Sequence, residues 1–377
     1  MQGFIIAGVA VSGFFIIFIL SKKNRKRADL LLILINLFMI GFLALDVLIR
    51  ERITPTLFFL QALLPFFLFP VFLLFALETL GKKWNTLWLV LFVPASIATL
   101  YISADLYFLH DYSEPELLKL YNFPPLAHHV LYKSNQILFI ASLIWLIRKL
   151  REYRRNIKEN YSYIDPISLR WLSRFSWIYL SITFISLTVF VISNLHIFPI
   201  DIQTAYSIVS ACAVLTIFYL SFHGIRQYSV TEYYTKLQPV EENTFEIPES
   251  KEKYKASSLT GRELESIYNQ LLKLFEDKAV YCEPKLQLQD VADALSVTSH
   301  TLSQTINTLA GQPFYDFVNG YRVTKLQRLL EDPAKKRFTI LALGMDSGFN
   351  SKASLNRVFK EHTGLSPSEY QRRHFHN

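Results

Sequence analysis

The chain has 377 residues, of which 51% are hydrophobic and only 19% charged, with a formal net charge of +8. A soluble domain carries about 25% charged residues, so this composition excludes a disordered or highly solvated protein, and 12 glycines exclude a collagen-like one. Cys212 and Cys282 lie far apart with no Cys-x-x-Cys spacing, which excludes a disulfide framework and a zinc finger.

The apolar excess lies before residue 225, in seven stretches at 3–20, 28–49, 56–78, 85–104, 128–148, 175–195 and 203–224. Each approaches the roughly 20 residues an α-helix needs to cross a bilayer core. An unpaired backbone amide in lipid costs several kcal/mol, so such stretches are predicted to be helices. A large soluble helical core is the rival reading, but buried soluble helices rarely stay apolar on every face for so long. Pro65, Pro70 and Pro94 fall inside the stretches as expected kinks. No basic run precedes Phe4–Leu20, whereas Lys22, Lys23, Arg25, Lys26 and Arg27 follow it, so a membrane anchor is expected rather than a cleaved signal.

Lys and Arg are retained on the cytoplasmic side of a membrane. They fill the first loop, recur as Lys82 and Lys83 in the third, and crowd the fifth from Arg148 to Arg174, against Glu152, Glu159 and Asp165. The intervening loops are poor in them; that at 105–127 holds Asp105, Asp111, Glu114 and Glu116 against Lys119. The alternation predicts an amino terminus outside and a carboxyl terminus in the cytoplasm, as in a bacterial inner-membrane protein. On the fifth stretch His129, Lys133 and Gln136 share one helical face. They are candidate ligand-binding residues lining a polar pocket open to the outside, or else a helix start in the headgroup layer. The outer loops are too short for a folded sensor domain, so the signal would come from the outer surface, lipid, a ligand within the bundle or a membrane partner.

Residues 225–258 change character, with Pro239, Glu241, Glu242, Pro248, Glu249 and several lysines, and read as a cytoplasmic linker. From 259 to 377 short amphipathic helices alternate with polar turns. Thr260 and Glu263 form a capping box, followed by an apolar stripe of Leu264, Ile267, Leu271, Leu272 and Phe275. Two short helices follow, with Val291 and Ala292, then Leu302 and Ile306, facing inward; a tight turn between them makes a helix-turn-helix unit. A longer helix from Phe314 to Leu330 leads to a second such unit, turning at Gly348-Phe349-Asn350-Ser351. The predicted fold class is therefore all-α, a polytopic seven-helix transmembrane bundle followed by a cytoplasmic tandem helix-turn-helix domain.

Gly348-Phe349-Asn350-Ser351-Lys352, Asn356-Arg357-Val358-Phe359-Lys360 and Thr363-Gly364-Leu365-Ser366-Pro367-Ser368-Glu369-Tyr370 resemble the signature of the AraC/XylS family of bacterial transcription factors. Leu288-Gln289-Asp290-Val291-Ala292, Leu302-Ser303-Gln304 and Tyr321-Arg322-Val323 fit its first unit. The resemblance covers about 280–372. The whole arrangement is similar to membrane-integral members, in which a multi-helix sensor replaces the soluble ligand-binding domain. Leu326, Gly344 and Ser347 depart from the pattern, and Gly344 implies a softer second unit, since glycine costs about 1 kcal/mol against alanine in a helix.

The resemblance implies a regulator that reads double-stranded DNA through the major groove. Its candidate contacts are His300, Ser303, Gln304 and Asn307 on the first recognition helix, and Lys352, Asn356, Arg357 and Lys360 on the second. Gln pairs with adenine, Arg and Lys with guanine or phosphate; the same residues also read as solvated helix faces. Residues 320–377 hold eleven Lys and Arg against five acids, whereas 257–319 hold four against eight, so basic charge gathers in the second unit. No catalytic or phosphate-loop motif, metal site or cofactor is expected. A homodimer through the 259–277 helix or an extension of the last membrane helix is an expected partner state. The rival is a transporter or receptor whose tail is a protein-interaction module.

Overall fold

The computed structural model describes residues 2–51, 54–81, 90–108, 126–194, 202–227 and 260–375. The chain divides into two compact units. The first is Met1–Arg151 with Leu169–Leu237; the second is Glu152–Ser168 with Gln238–Asn377. Among the described residues all regular elements are helical, and one isolated antiparallel bridge joins Tyr161 and Gln287.

Among the described residues up to 227 the helices are α1 (Gln2–Leu20), α2 (Arg27–Glu51), α3 (Pro55–Thr79), α4 (Val93–Phe108), α5 (Leu126–Asn160), α6 (Arg170–Asn194) and α7 (Ile202–Arg226). They overlap the seven apolar stretches. Among the described residues, Arg27–Ile49 is long and apolar enough to cross a membrane, and Ile5–Leu20, Leu63–Thr79 and Val90–Tyr101 are shorter apolar helices. Much of 105–127, Lys82 and Lys83, and the linker beyond residue 227 lie outside the described residues.

Within the first unit α2 packs on α1, α3 and α7. The approach is close: a Cβ on Gly8 would meet Val214 Cγ2 at 2.5 Å and Leu43 Cδ1 at 2.7 Å. Asn36 Nδ2 donates to Leu32 O at 2.8 Å and to Ser221 Oγ at 2.9 Å, so the buried amide is satisfied between α2 and α7. Large apolar side chains also face outward, among them Ile6, Phe14, Ile17, Leu100, Phe184 and Leu215, each more than 60% exposed.

The second unit comprises α8 (Gly261–Lys278), α9 (Leu288–Ala294), α10 (Ser299–Leu309), α11 (Phe314–Glu331), α12 (Ile340–Asp346), α13 (Lys352–Thr363) and α14 (Pro367–Phe375). The capping box at Thr260 and Glu263 forms as the sequence predicts. Leu271, Phe275, Val291, Leu302, Ile306, Phe314 and Val318 close one core, each fully buried Leu or Phe contributing about 1.5–3 kcal/mol. Helix α11 is shared: it contacts α10 on one side and α12, α13 and α14 on the other. Leu326, which replaces a small residue of the family pattern, is completely buried there. Gly344 answers to packing as much as to helix softness, because a Cβ there would lie 1.7 Å from Leu355 Cδ1.

The second unit also contains 152–168, which the sequence places in a loop between membrane segments. This segment includes the end of α5, a short 3-10 turn at Asp165–Ile167, and the buried side chains of Tyr153, Ile157, Tyr161, Ile164 and Ile167. Tyr153 donates its hydroxyl to Ile167 O at 2.8 Å, which closes the segment on itself. Leu169, where the chain leaves the unit, holds a φ of 48°, a conformation a branched side chain adopts only under strain.

Candidate nucleic-acid interface

The second helix of each helix-turn-helix unit is capped by a hydroxyl. In the first, Thr298 Oγ1 accepts from Thr301 N at 3.1 Å and starts α10. Leu302 and Ile306 are fully buried beneath it. In the second, Ser351 Oγ accepts from Ser354 N at 3.1 Å and starts α13, over buried Leu355, Val358 and Phe359. The turn before α13 depends on Gly348, whose φ is 95°. A Cβ there would stand 2.6 Å from Tyr281 O and 2.8 Å from Cys282 Cα, so the backbone approach admits only glycine.

The eight predicted contact residues fall into two groups. His300, Lys352, Asn356 and Lys360 are exposed on their helices, and Gln304 is half-buried. Ser303, Asn307 and Arg357 are covered. The expectation that Ser303 faces outward is corrected: it is 7% exposed, because Glu159 lies over it. Glu159 Oε2 accepts from Asn307 Nδ2 at 2.8 Å and from Ser303 Oγ at 3.3 Å. Arg357 Nη2 donates to Asp165 Oδ1 at 2.8 Å and to Tyr315 Oη at 2.9 Å, while its Nη1 meets Glu361 Oε2 at 3.1 Å. Burial works against its charge, but Tyr315, Asp165 and Glu361 outweigh it and hold the guanidinium above its ordinary range.

Further contacts fix the covering segment. Lys158 Nζ pairs with Asp316 Oδ2 at 3.1 Å and lies over the Tyr315 ring. Burial pushes the Tyr163 hydroxyl above its ordinary range, and Ser351, the residue that caps α13, acts against that rise. Beneath them Arg322, 1% exposed, donates Nε to Tyr281 O and Nη2 to Glu283 O, each at 2.7 Å. The same guanidinium donates Nη2 to Ser162 Oγ at 2.9 Å and Nη1 to Ser162 O at 3.2 Å. Ser162 in turn donates its amide and hydroxyl to Leu286 O. Sequence reasoning did not assign Glu159, Ser162 or Asp165 to this surface. The available signal was the presence of carboxylates inside an otherwise basic loop.

Of the candidate ligand residues, Lys133 Nζ donates to Gln136 Oε1 at 3.1 Å, and Gln136 Nε2 donates to Thr183 O at 3.1 Å, tying α5 to α6. The side chain of His129 lies outside the described residues.

Comparison with known proteins places a family match on this surface. Residues 291–373 match the family described as Helix-turn-helix domain. No curated protein matches the chain. A solved structure of a protein of unknown function from Listeria innocua is 26% identical, over 29% of this chain and 96% of that one, with a TM-score of 0.25. Tandem capped helices on a shared α11, with the family match spanning both of them, make residues 291–373 an AraC-type helix-turn-helix domain, the DNA-binding part of a transcription regulator.

Proposed function

We propose that the chain is a membrane-embedded transcription regulator that couples a signal at or in the bilayer to sequence-specific binding of double-stranded DNA. The observation that carries the reading is the pair of capped helices α10 and α13, each exposing polar side chains on a tandem helix-turn-helix domain. Two such helices in one chain can enter successive major grooves about 34 Å apart. Direct base contacts are assigned to His300, Ser303, Gln304, Lys352 and Arg357, and phosphate or accessory contacts to Asn307, Asn356 and Lys360.

Membrane embedding is supported by the apolar sequence before residue 225 and by the outward-facing Ile, Phe and Leu side chains of the first unit. The loop charges support an amino terminus outside and the DNA-binding unit in the cytoplasm. The signal would act through the first unit, with Lys133 and Gln136 candidates for a polar contact, and the active state would be a homodimer. Footprinting of the detergent-solubilised full chain on duplexes selected from a random pool tests the DNA reading. A protected site is expected, and a reporter fused after residue 227 should be cytoplasmic. Absence of any protected site, with a tail that captures a protein instead, would favour an interaction module and overturn the assignment.

A further inference from the structure

The residues that cover the DNA-reading face come from one continuous stretch, 152–168, and their chemistry imitates that of a nucleic acid. Glu159 presents a carboxylate to Ser303 and Asn307 of α10. Asp165 presents one to Arg357 of α13. The same stretch therefore reaches both recognition helices, placing an anion on each where DNA would offer a phosphate or a base-edge acceptor.

The dock is specifically built. Ser162 N donates to Leu286 O at 3.1 Å and Ser162 Oγ donates to the same oxygen at 2.7 Å. Tyr161 bridges to Gln287, and Arg322 places two of its hydrogen bonds on Ser162. Tyr161, Ser162, Tyr163 and Ile164 are all buried against the unit. Yet the stretch is foreign to it in sequence: Ser162 lies 160 residues from Arg322. On one side it continues helix α5, and on the other the chain runs on through Leu169, with its positive φ, into α6.

We propose that residues 152–168 are an intramolecular clasp that competes with DNA for the recognition face, so that DNA binding requires the segment to leave. The inference rests on the DNA-binding reading above and adds its control. Because the clasp is covalently continuous with α5 and α6, a signal that shifts either helix changes the fraction of chains whose face is open. Apparent DNA affinity scales with that fraction. Asp165 gives the contact an ion pair and Glu159 a charged acceptor for neutral donors; Ser162 and Tyr161 give it register.

The test uses the full chain in detergent and a duplex enriched from a random pool by a charge-neutralised variant, Glu159→Gln with Asp165→Asn. Ser162 N to Leu286 O makes Tyr161 and Gln287 a non-hydrogen-bonded antiparallel pair, whose Cα atoms stand about 4.5 Å apart, within disulfide reach. In a Cys212→Ser, Cys282→Ser background, Tyr161→Cys with Gln287→Cys locks the clasp when oxidised and frees it when reduced. The oxidised chain is expected to bind the duplex at least about tenfold more weakly than the same protein reduced, and the charge-neutralised variant more tightly than the parent. Equal affinity in both redox states, with the disulfide formed, would overturn the clasp and leave the DNA reading standing. If no form, including the charge-neutralised one, prefers any duplex over random competitor, the DNA reading itself falls and the clasp with it.

Discussion

Asp165 holds Arg357 by a 2.8 Å ion pair, with both side chains about one-fifth exposed. The pair joins a residue of the loop between α5 and α6 to the second recognition helix, across 192 positions of sequence. Arg357 is at once a candidate contact to a base or a phosphate and a residue held by Asp165, Tyr315 and Glu361 in this state.

That double role separates Arg357 from Lys360, which is exposed one position beyond the buried Phe359. Arg357→Ala is expected to relax the preference at one base pair, costing about 1–3 kcal/mol of discrimination. Lys360→Ala should weaken binding to all duplexes alike and reduce the salt slope by about one. Affinities for single-position variants of a selected duplex, measured at several salt concentrations, check both.

Gly348 sets the entry to α13. Gly348→Ala combines a positive φ with backbone contacts of 2.6 and 2.8 Å at Tyr281 and Cys282. The substitution should destabilise the second unit by about 3 kcal/mol or more, read as a lowered denaturant midpoint. Gly344→Ala meets only the side chain of Leu355 and should cost less.

Much of this unit was legible in the sequence, because caps and apolar spacing are local. Thr260 with Glu263, Leu302 with Ile306, and Leu355 with Phe359 each lie within one or two helical turns. The cover over α10 and α13 was not. Glu159 meets Ser303 across 144 residues, and no periodicity links them. Within its loop Glu159 reads as one acid among many bases, and only the packing of Tyr161 and Ser162 against Leu286 and Gln287 brings it to α10. The burial of Ser303 was hidden for the same reason: its position on the helix is local, and Glu159, which lies on it, comes from elsewhere in the chain.

Ser162 is the best single probe of how firmly the segment is seated. Ser162→Ala removes a donor to Leu286 O and an acceptor for Arg322, while Arg322 Nη2 keeps Glu283 O. A loss of about 1–2 kcal/mol is expected, with faster amide exchange confined to 152–168 and its docking residues.

Tyrosine burial gives the contact a pH dependence. Burial pushes the Tyr161 hydroxyl from its ordinary 10.0 up to about 12. Burial also raises Tyr153, and the charge on Tyr161 adds to it. The folded state therefore keeps these protons more tightly than the unfolded chain. Their contribution to stability is complete below pH 10.0 and is lost as pH rises towards about 12. The denaturant midpoint of the second unit should fall across that window, and Tyr161→Phe should flatten the slope.

Recognition of a specific DNA sequence by α10 and α13 is the step on which the proposed regulation depends. Its most direct measurement is the ratio of dissociation constants of the full chain for a pool-selected duplex and for the same duplex scrambled, at one fixed salt concentration. A ratio of about 10³ or more is predicted, reduced by Arg357→Ala. Equal constants for the two duplexes would contradict it.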